Sequence, residues 1–273
     1  MATPPRNAGR WILAGLFAAG TVAAMAATVL WVRDAVNTAY FLRSAEDAQR
    51  TRSTLQESMD RQVRDVGQVA EDVSDEADFG SDTFQRRAAR ALGDGAAVRA
   101  LDFLDRSGRA LWTFPFSPDR SGRPLAGARA DAAGRAEREQ RTTASGLIDL
   151  WDGGVGVALY APVFRRALWA GLVEGTLEVL RVAAVGAPSI GQRFDVTIID
   201  ERQGREYRPT ESRGRAPASY DNYFPLTLAD RTWWIILHPL RPPPALAIVT
   251  AALFAEALLG GFFIYLLWRR KSS

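Results

Sequence analysis

The 273-residue sequence predicts an α+β protein in which two transmembrane helices flank a long helical stalk and an antiparallel-sheet domain. Three observations predict this arrangement. Residues 11–32 contain no charged side chain and residues 245–268 contain one, so each is long and apolar enough to cross a bilayer as a helix. Apolar residues with helical spacing follow the first span. Beyond residue 79, short apolar runs separated by turn residues are typical of strands.

The charges around the two spans predict the topology. Basic residues flank the spans on their outer sides: Arg6, Arg10, Arg269, Arg270 and Lys271. Residues 33–244, between the spans, are close to neutral. Because basic residues remain on the cytoplasmic side of a membrane, tails 1–10 and 269–273 are predicted to be cytoplasmic and the middle to be extracytoplasmic.

The chain has no cysteine, which excludes disulfides, thiolate metal sites, a lipoprotein anchor and a cysteine nucleophile. An exported domain without disulfides is typical of a bacterial envelope, so we expect a periplasmic domain on a two-pass inner-membrane protein. Ala24-Met25-Ala26 also resembles a signal-peptide cleavage site. The apolar run continues without a break to Val32, so it is longer than the apolar region of a signal peptide, usually about 7–15 residues, and therefore favours a retained anchor.

Residues 33–78 are predicted to form one long helix, the stalk. Apolar residues recur along it at spacings of three and four: Leu55, Met59, Val63, Val66, Val69 and Val73. This stripe has two interpretations. It packs on the domain that follows it, or it pairs with a second copy so that the protein is a homodimer through the stalk.

Residues 79–244 are predicted to form the extracytoplasmic domain, with one mostly antiparallel sheet of five or six strands. Seven segments are candidates for these strands: residues 98–105, 109–116, 155–164, the first part of 168–180, 194–200, 205–209 and 231–240. Residues 117–136 are rich in Gly, Pro, Ser, Asp and Arg and are predicted to be a loop, followed by a helical turn or two over 137–143.

Four patterns occur in order between the spans. They are LDFLDRSGRALWTFPF (101–116), VGVALYAPVFRRALWAGLVEGTLEVL (155–180), FDVTIIDERQGREYR (194–208) and WWIILHP (233–239). In this order they resemble the CHASE-like and Cache-like extracytoplasmic sensor domains of bacterial signalling proteins, over about residues 10–245. The resemblance implies a PAS-like domain at 79–244 that binds a small extracellular ligand. Only RRKSS follows Trp268, so we expect no output domain of its own.

The resemblance implies a sensor or binding module that signals through another membrane protein, such as a kinase or cyclase. The alternative is a non-catalytic accessory or scaffold subunit of a larger membrane complex that reuses a sensor fold. In the resembling patterns the ligand-pocket candidates are Trp112, Phe114, Tyr160, Trp169, Glu174, Asp195 and Thr197. Each of these residues is also a plausible member of the core or of the sheet surface. Alternation places Trp112 and Phe114 on one face of their strand.

The sequence gives no sign of catalysis. His238 is the only histidine, so a Ser/His/Asp triad or a histidine metal site would have to use it. No metal cluster, phosphate-binding loop or catalytic pair stands out. We therefore predict that the protein is not an enzyme, uses no cofactor or metal, and does not bind nucleic acid.

Glu256 lies at the centre of the second span, where a charged carboxylate is costly. Thr21 lies at a similar depth in the first span. Small residues at four-residue spacing in both spans favour close helix packing. We predict that Glu256 is protonated and hydrogen-bonded at a membrane helix contact, with Thr21 as the candidate partner.

Overall fold

The computed structural model describes residues 8–75, 80–93, 97–151, 153–186, 188, 190–208, 218–240, 251, 254–258 and 260. The chain divides into two compact units, one of Met1–Ala45 with Pro242–Ser273 and one of Glu46–Arg241. The helices are α1 (Ala8–Asp75), α2 (Ser81–Ala91), α3 (Ala128–Glu139), α4 (Val179–Gly186) and α5 (Ile190–Arg193). The strands are β1 (Val98–Leu104), β2 (Ala110–Phe114), β3 (Thr143–Ala144), β4 (Ile148–Asp149), β5 (Val155–Arg165), β6 (Leu168–Glu178), β7 (Phe194–Asp200), β8 (Arg205–Tyr207), β9 (Asn222–Leu228) and β10 (Arg231–Pro239).

In the first unit, α1 includes the predicted first span. Apolar side chains along it are exposed, among them Leu16, Val22, Leu30 and Trp31, as suits a helix surrounded by lipid. Within the described residues, α1 is the one helix that is long and apolar enough to cross a membrane. Residues 245–268 lie largely outside the described residues, so the second span stays a prediction.

Helix α1 is continuous through the predicted stalk and ends at Asp75. Its apolar stripe is buried inside the second unit: Leu55, Met59, Val66, Val69 and Val73 are all at most 5% exposed, and Val63 packs against the same core. The stripe therefore covers the core of its own domain and is not available to pair with a second copy. A homodimer would have to use other residues.

The predicted strands form two antiparallel sheets instead of the single expected sheet. The first has the order β2-β1-β6-β5-β3, with β4 also paired to β5, and the second has the order β8-β7-β10-β9. The hairpins β1–β2 and β5–β6 lie where the sequence predicts them, and β6 passes directly into α4. The main core lies between α1, α2 and the inner faces of both sheets.

Strand β9 was not predicted, and its position explains why. It contains Pro225, which cannot donate a hydrogen bond in a ladder, and such residues are confined to edge strands. β9 is at the edge of the second sheet, next to β10. Its side chains alternate between more and less buried along the whole strand, but only Leu226 and Leu228 are buried, so the first half of the strand gives only a weak signal.

The predicted loop at 117–136 is wrong in its second half, because α3 begins at Ala128. Nearby Gly127 and Gly134 conceal the helix in the sequence. Three small side chains, Ala132, Ala133 and Ala136, are buried in a second core on the other face of the first sheet. Alanine has the highest helix propensity and lets a helix approach a sheet closely. Helix α3 forms part of one wall of the candidate site.

Candidate functional site

A row of polar side chains crosses the first sheet on the face that α3 covers. Tyr160 of β5 is opposite Glu174 of β6, Glu174 is opposite Asp102 of β1, and Asp102 is opposite Thr113 of β2. Opposite residues in antiparallel strands point to the same face, so these four side chains form one row. All four are buried. Buried carboxylates require cationic or hydrogen-bonding partners. Here the cationic partners are two arginines that lie outside the sheet.

The first partner is Arg120, on the loop that follows β2. Its Nη1 lies 3.1 Å from Asp102 Oδ1, and its Nη2 donates to the carbonyl oxygen of Pro115. The guanidinium also lies 4.7 Å from the centre of the Trp151 ring, a cation–π contact. Contacts to a carboxylate, a carbonyl and an indole ring hold Arg120 in place.

The second partner is Arg129, in the first turn of α3. Its Nη1 forms an ion pair with Glu174 Oε1. The Arg129 side chain is 24% exposed, whereas that of Arg120 is 9% exposed. Arg129 can therefore reach a molecule in the adjoining cavity with less rearrangement than Arg120.

The two ion pairs adjoin a cavity of about 340 Å³. Its lining residues are Asp102, Leu104, Ala110, Arg120, Arg123, Pro124, Leu125, Ala126, Arg129, Asp149, Leu150, Trp151 and Glu174. A water molecule takes about 30 Å³ of liquid volume, so the cavity has room for a small organic molecule. Its charged residues are three arginines and three carboxylates, which suits a ligand that has no net charge.

Burial perturbs both carboxylates. Burial raises the pKa of Asp102 to about 7, helped by the charge of Glu174 and opposed by Arg120 and Arg129. Burial likewise raises the pKa of Glu174, against the charge of Arg129. Burial also raises the pKa of the Tyr160 hydroxyl well above its usual range, so this group stays neutral. The row thus contains a neutral phenol beside two carboxyl groups whose pKa values are raised.

Asp102 is expected to make stability depend on pH. Its pKa of about 7 in the folded state exceeds the usual aspartate pKa of 3.8, so the folded state binds more protons between these values. The free energy of unfolding should therefore fall as pH rises through this range, by up to about 1.4 kcal/mol per pH unit for one proton. Asp102→Asn should flatten this profile in chemical denaturation of the detergent-solubilised chain. The exposed Asp119→Asn should keep the slope, and an unchanged slope in Asp102→Asn would contradict the assignment.

Of the predicted pocket residues, Glu174 lines the cavity and Tyr160 lies next to it in the row. Trp169 is half-buried, with its ring centre 5.7 Å from that of Phe164. Trp112 and Phe114 share a face as predicted, but this face points into the main core, where Trp112 stacks on Phe103 at 4.9 Å. As ligand contacts, these residues stay predictions.

Asp195 and Thr197 lie on the second sheet, away from the cavity lining, in a buried cluster with His238. Thr197 Oγ1 is 3.0 Å from His238 Nε2, and Asp221 Oδ1 is 2.7 Å from His238 Nδ1. Asp195 is opposite His238 in the β7–β10 register. Within the described residues no group of histidine and acidic side chains has the arrangement of a metal site.

Four residues of the cavity were not predicted from the sequence: Asp102, Arg120, Arg129 and Trp151. Asp102 had a signal, because an acid inside the apolar run VRALDFL is unusual for a buried strand. Arg120 and Arg129 had none, because the segment that contains them was predicted to be a loop.

The membrane contact predicted for Glu256 stays a prediction. Glu256 and Thr21 belong to the same unit, and both side chains are half-buried. Glu256 Oε2 is buried and has no hydrogen-bond partner among the described residues. A buried polar atom without a hydrogen-bond partner is energetically unfavourable, and a protonated carboxyl with a partner would avoid this penalty.

Comparison with known proteins gives structural matches but no sequence match: no family model and no curated protein matches the chain. The ligand-binding domain of the Pseudomonas fluorescens chemoreceptor CtaA with L-isoleucine is 14% identical, with a TM-score of 0.55 over 79% of this chain and 98% of that one. That of the Pseudomonas aeruginosa amino acid chemoreceptor PctC with GABA is 14% identical, with a TM-score of 0.53 over 71% and 96%. The chain has the fold of these extracellular ligand-binding domains.

An extracellular ligand binding receptor from Desulfohalobium retbaense is 13% identical, with a TM-score of 0.54 over 70% of this chain. The match spans 39% of that receptor's length. These structures support the Cache-like, PAS-type part of the resemblance. They are ligand-binding domains and not enzymes.

Proposed function

We propose that the chain is a membrane-anchored, extracytoplasmic sensor or binding module of Cache-like type. Its cavity would bind a small molecule with an ammonium and a carboxylate group. The observation that supports this best is the pair of Arg129 and Glu174 at the edge of the cavity, where a partly exposed guanidinium lies on a buried carboxylate.

The chemistry of this pair suits a zwitterion. A planar guanidinium such as that of Arg129 can bind a ligand carboxylate through two parallel hydrogen bonds, and a carboxylate such as that of Glu174 can accept hydrogen bonds from an ammonium group. A zwitterion that binds between them replaces one ion pair by two. The cavity then gains no net charge, which a buried site tolerates far better than an added ion.

The structural neighbours support the same class of ligand. GABA in PctC and L-isoleucine in CtaA both carry an ammonium and a carboxylate group. The cavity volume of about 340 Å³ has room for a molecule of this size. The remaining lining, with Leu104, Leu125 and Leu150, offers an apolar surface to a ligand side chain.

Binding experiments test the proposal on the full chain in nanodiscs. The probes are L-isoleucine and GABA, each with analogues that lack either the amine or the carboxylate. A probe at one hundred times its Kd stabilises the folded state by about 2.7 kcal/mol, which should raise the melting temperature by about 5–10 °C. The analogues should shift it less. If no probe shifts the melting temperature, the accessory or scaffold role becomes the better explanation.

The proposed topology predicts that both termini are cytoplasmic. A reporter enzyme that is active only in the periplasm should be inactive when fused after Ser273, because the second apolar segment returns the chain to the basic, cytoplasmic side. The same reporter fused after Leu240, before that segment, should be active. Activity after Ser273 would contradict the two-span topology.

A further inference from the structure

We infer that Arg205 of β8 is a positioning residue for the candidate site: from the second sheet it fixes one wall of the cavity, so that ligand affinity depends on the second sheet. This inference rests on the proposed function for its ligand, but the position of the wall is testable without any ligand. Arg205 is not one of the described residues that line the cavity, and it would act through the wall alone.

The wall in question is the stretch of chain from Leu147 through β4 to Trp151, which we call the wall segment. Three of its residues, Asp149, Leu150 and Trp151, line the cavity. Its ladder to the first sheet is short, because β4 pairs with β5 only at Ile148 and Asp149. Contacts from outside the first sheet therefore help to decide where the cavity side chains of this segment lie.

Two side chains of the second sheet bind the backbone of Leu147, a residue that is 2% exposed. Asp200 Oδ2 accepts a hydrogen bond from the Leu147 N–H at 3.3 Å, and Arg205 Nη1 donates one to the Leu147 carbonyl oxygen at 2.9 Å. Asp200 and Arg205 are opposite one another in the β7–β8 register. Asp200 is itself paired with Arg231 of β10 at 2.7 Å. The β7–β8 hairpin thus binds both backbone groups of Leu147.

Arg205 also reaches the cavity residue Asp149, since its Nη2 forms an ion pair with Asp149 Oδ1. One rigid, planar guanidinium therefore binds the wall segment at two points that are two residues apart. The Asp149 side chain is 79% exposed, so the charge of this pair contributes little. The hydrogen bond to Leu147 is the stronger constraint, because a buried carbonyl that loses its partner is costly.

The wall segment connects Arg205 to the polar row of the site. At its far end the Trp151 ring lies 4.7 Å from the guanidinium of Arg120, which is paired with Asp102. A shift of the wall segment would change both the shape of the cavity and the surroundings of this ion pair. Because coupling between two sites is reciprocal, a ligand that fixes the wall segment must also stabilise its contact with Arg205.

Amide hydrogen exchange of the full chain in nanodiscs tests the wall without any ligand. Arg205→Met keeps the apolar stem of the side chain but removes both contacts. Exchange in residues 147–151 should become about 2- to 10-fold faster, as for the loss of one hydrogen bond, while exchange in β1 and β2 stays the same. Arg205→Lys keeps a donor and should restore part of the protection. Arg208→Met is the matched control, because Arg208 pairs with Glu206 and is not a contact of the wall segment.

Binding of L-isoleucine or GABA tests the coupling. Arg205→Met should weaken binding by about 2- to 30-fold, the usual range for coupling through such contacts, and Arg205→Lys should weaken it less. Arg208→Met should bind as the wild type does. In the wild type, bound ligand should also slow amide exchange in residues 200–207 of the β7–β8 hairpin. This slowing should be lost in Arg205→Met, whereas a residue that only supports the fold would leave it in place.

Three results would overturn the inference. They are equal exchange of residues 147–151 in wild type and Arg205→Met, equal ligand affinity of these two proteins, and ligand-induced slowing in the hairpin that survives in Arg205→Met. If neither probe binds to the wild type, the proposed function fails, and exchange of the ligand-free wall segment still decides whether Arg205 positions this wall.

Discussion

Replacing Arg129 by methionine is expected to abolish binding of a zwitterionic ligand and to destabilise the second unit by about 2–4 kcal/mol near neutral pH. The change removes the cation that lies on Glu174, a carboxylate that is almost fully buried. Leaving one member of a buried ion pair alone typically costs about 3–5 kcal/mol. The estimate here is lower because Arg129 itself is 24% exposed. Urea denaturation and the ligand-induced melting shift measure the two effects.

A second substitution separates these effects. In Arg129→Met/Glu174→Gln the uncompensated charge is gone, so stability should largely return while binding stays absent. Arg138→Met, an exposed residue on the same helix, is the matched control and should change neither property. The stability loss of Arg129→Met should also diminish at low pH, where Glu174 is protonated. Full stability of Arg129→Met at neutral pH would show that Glu174 does not depend on this ion pair.

Gly175→Ala is expected to destabilise the second unit by about 2–3 kcal/mol. Gly175 is on β6, and an added Cβ would overlap with Cγ2 of Val66 on α1. Val66 is part of the main core, where an extra methyl group on the facing Gly175 would force the helix and the sheet apart. Thermal and urea denaturation of the full chain in detergent measure the loss.

Val66→Ala provides the compensating change. Alone it should cost about 1–3 kcal/mol, because it removes buried methyl groups. Combined with Gly175→Ala it makes room for the new methyl group, so the double variant should be more stable than the sum of the two losses predicts. Strict additivity of the two losses would show that this contact does not hold α1 against the sheet.

Elements with a local signal could be predicted from the sequence. The charge-free run at 11–32 and the three- and four-residue spacing from Leu55 to Val73 predict helix α1, because a helix repeats its faces over these distances. The turn at Arg106-Ser107-Gly108 predicts the first hairpin. In the structure Asp105 Oδ1 accepts a hydrogen bond from the backbone N–H of Ser107 at 2.8 Å, as a turn aspartate does.

Features that depend on distant contacts were not predictable in this way. The division of the strands into two sheets depends on which strands pair, and β9 and α3 gave no clear periodicity of their own. The apolar stripe on α1 was visible in the sequence, but only the fold shows that this stripe packs on the core of the same chain.

The same distinction between local signals and distant contacts applies to the candidate site. The sequence by itself determined that the chain has an apolar span, a long helix and antiparallel hairpins, because each of these leaves a repeat within a few residues. Only the tertiary structure decided that Asp102 and Glu174 are opposite one another, and that Arg120 and Arg129 neutralise them. These charges come from β1, β6, a loop and α3, so no local pattern relates them. The strength of their interactions depends on burial and distance, which are set only after the strands have paired.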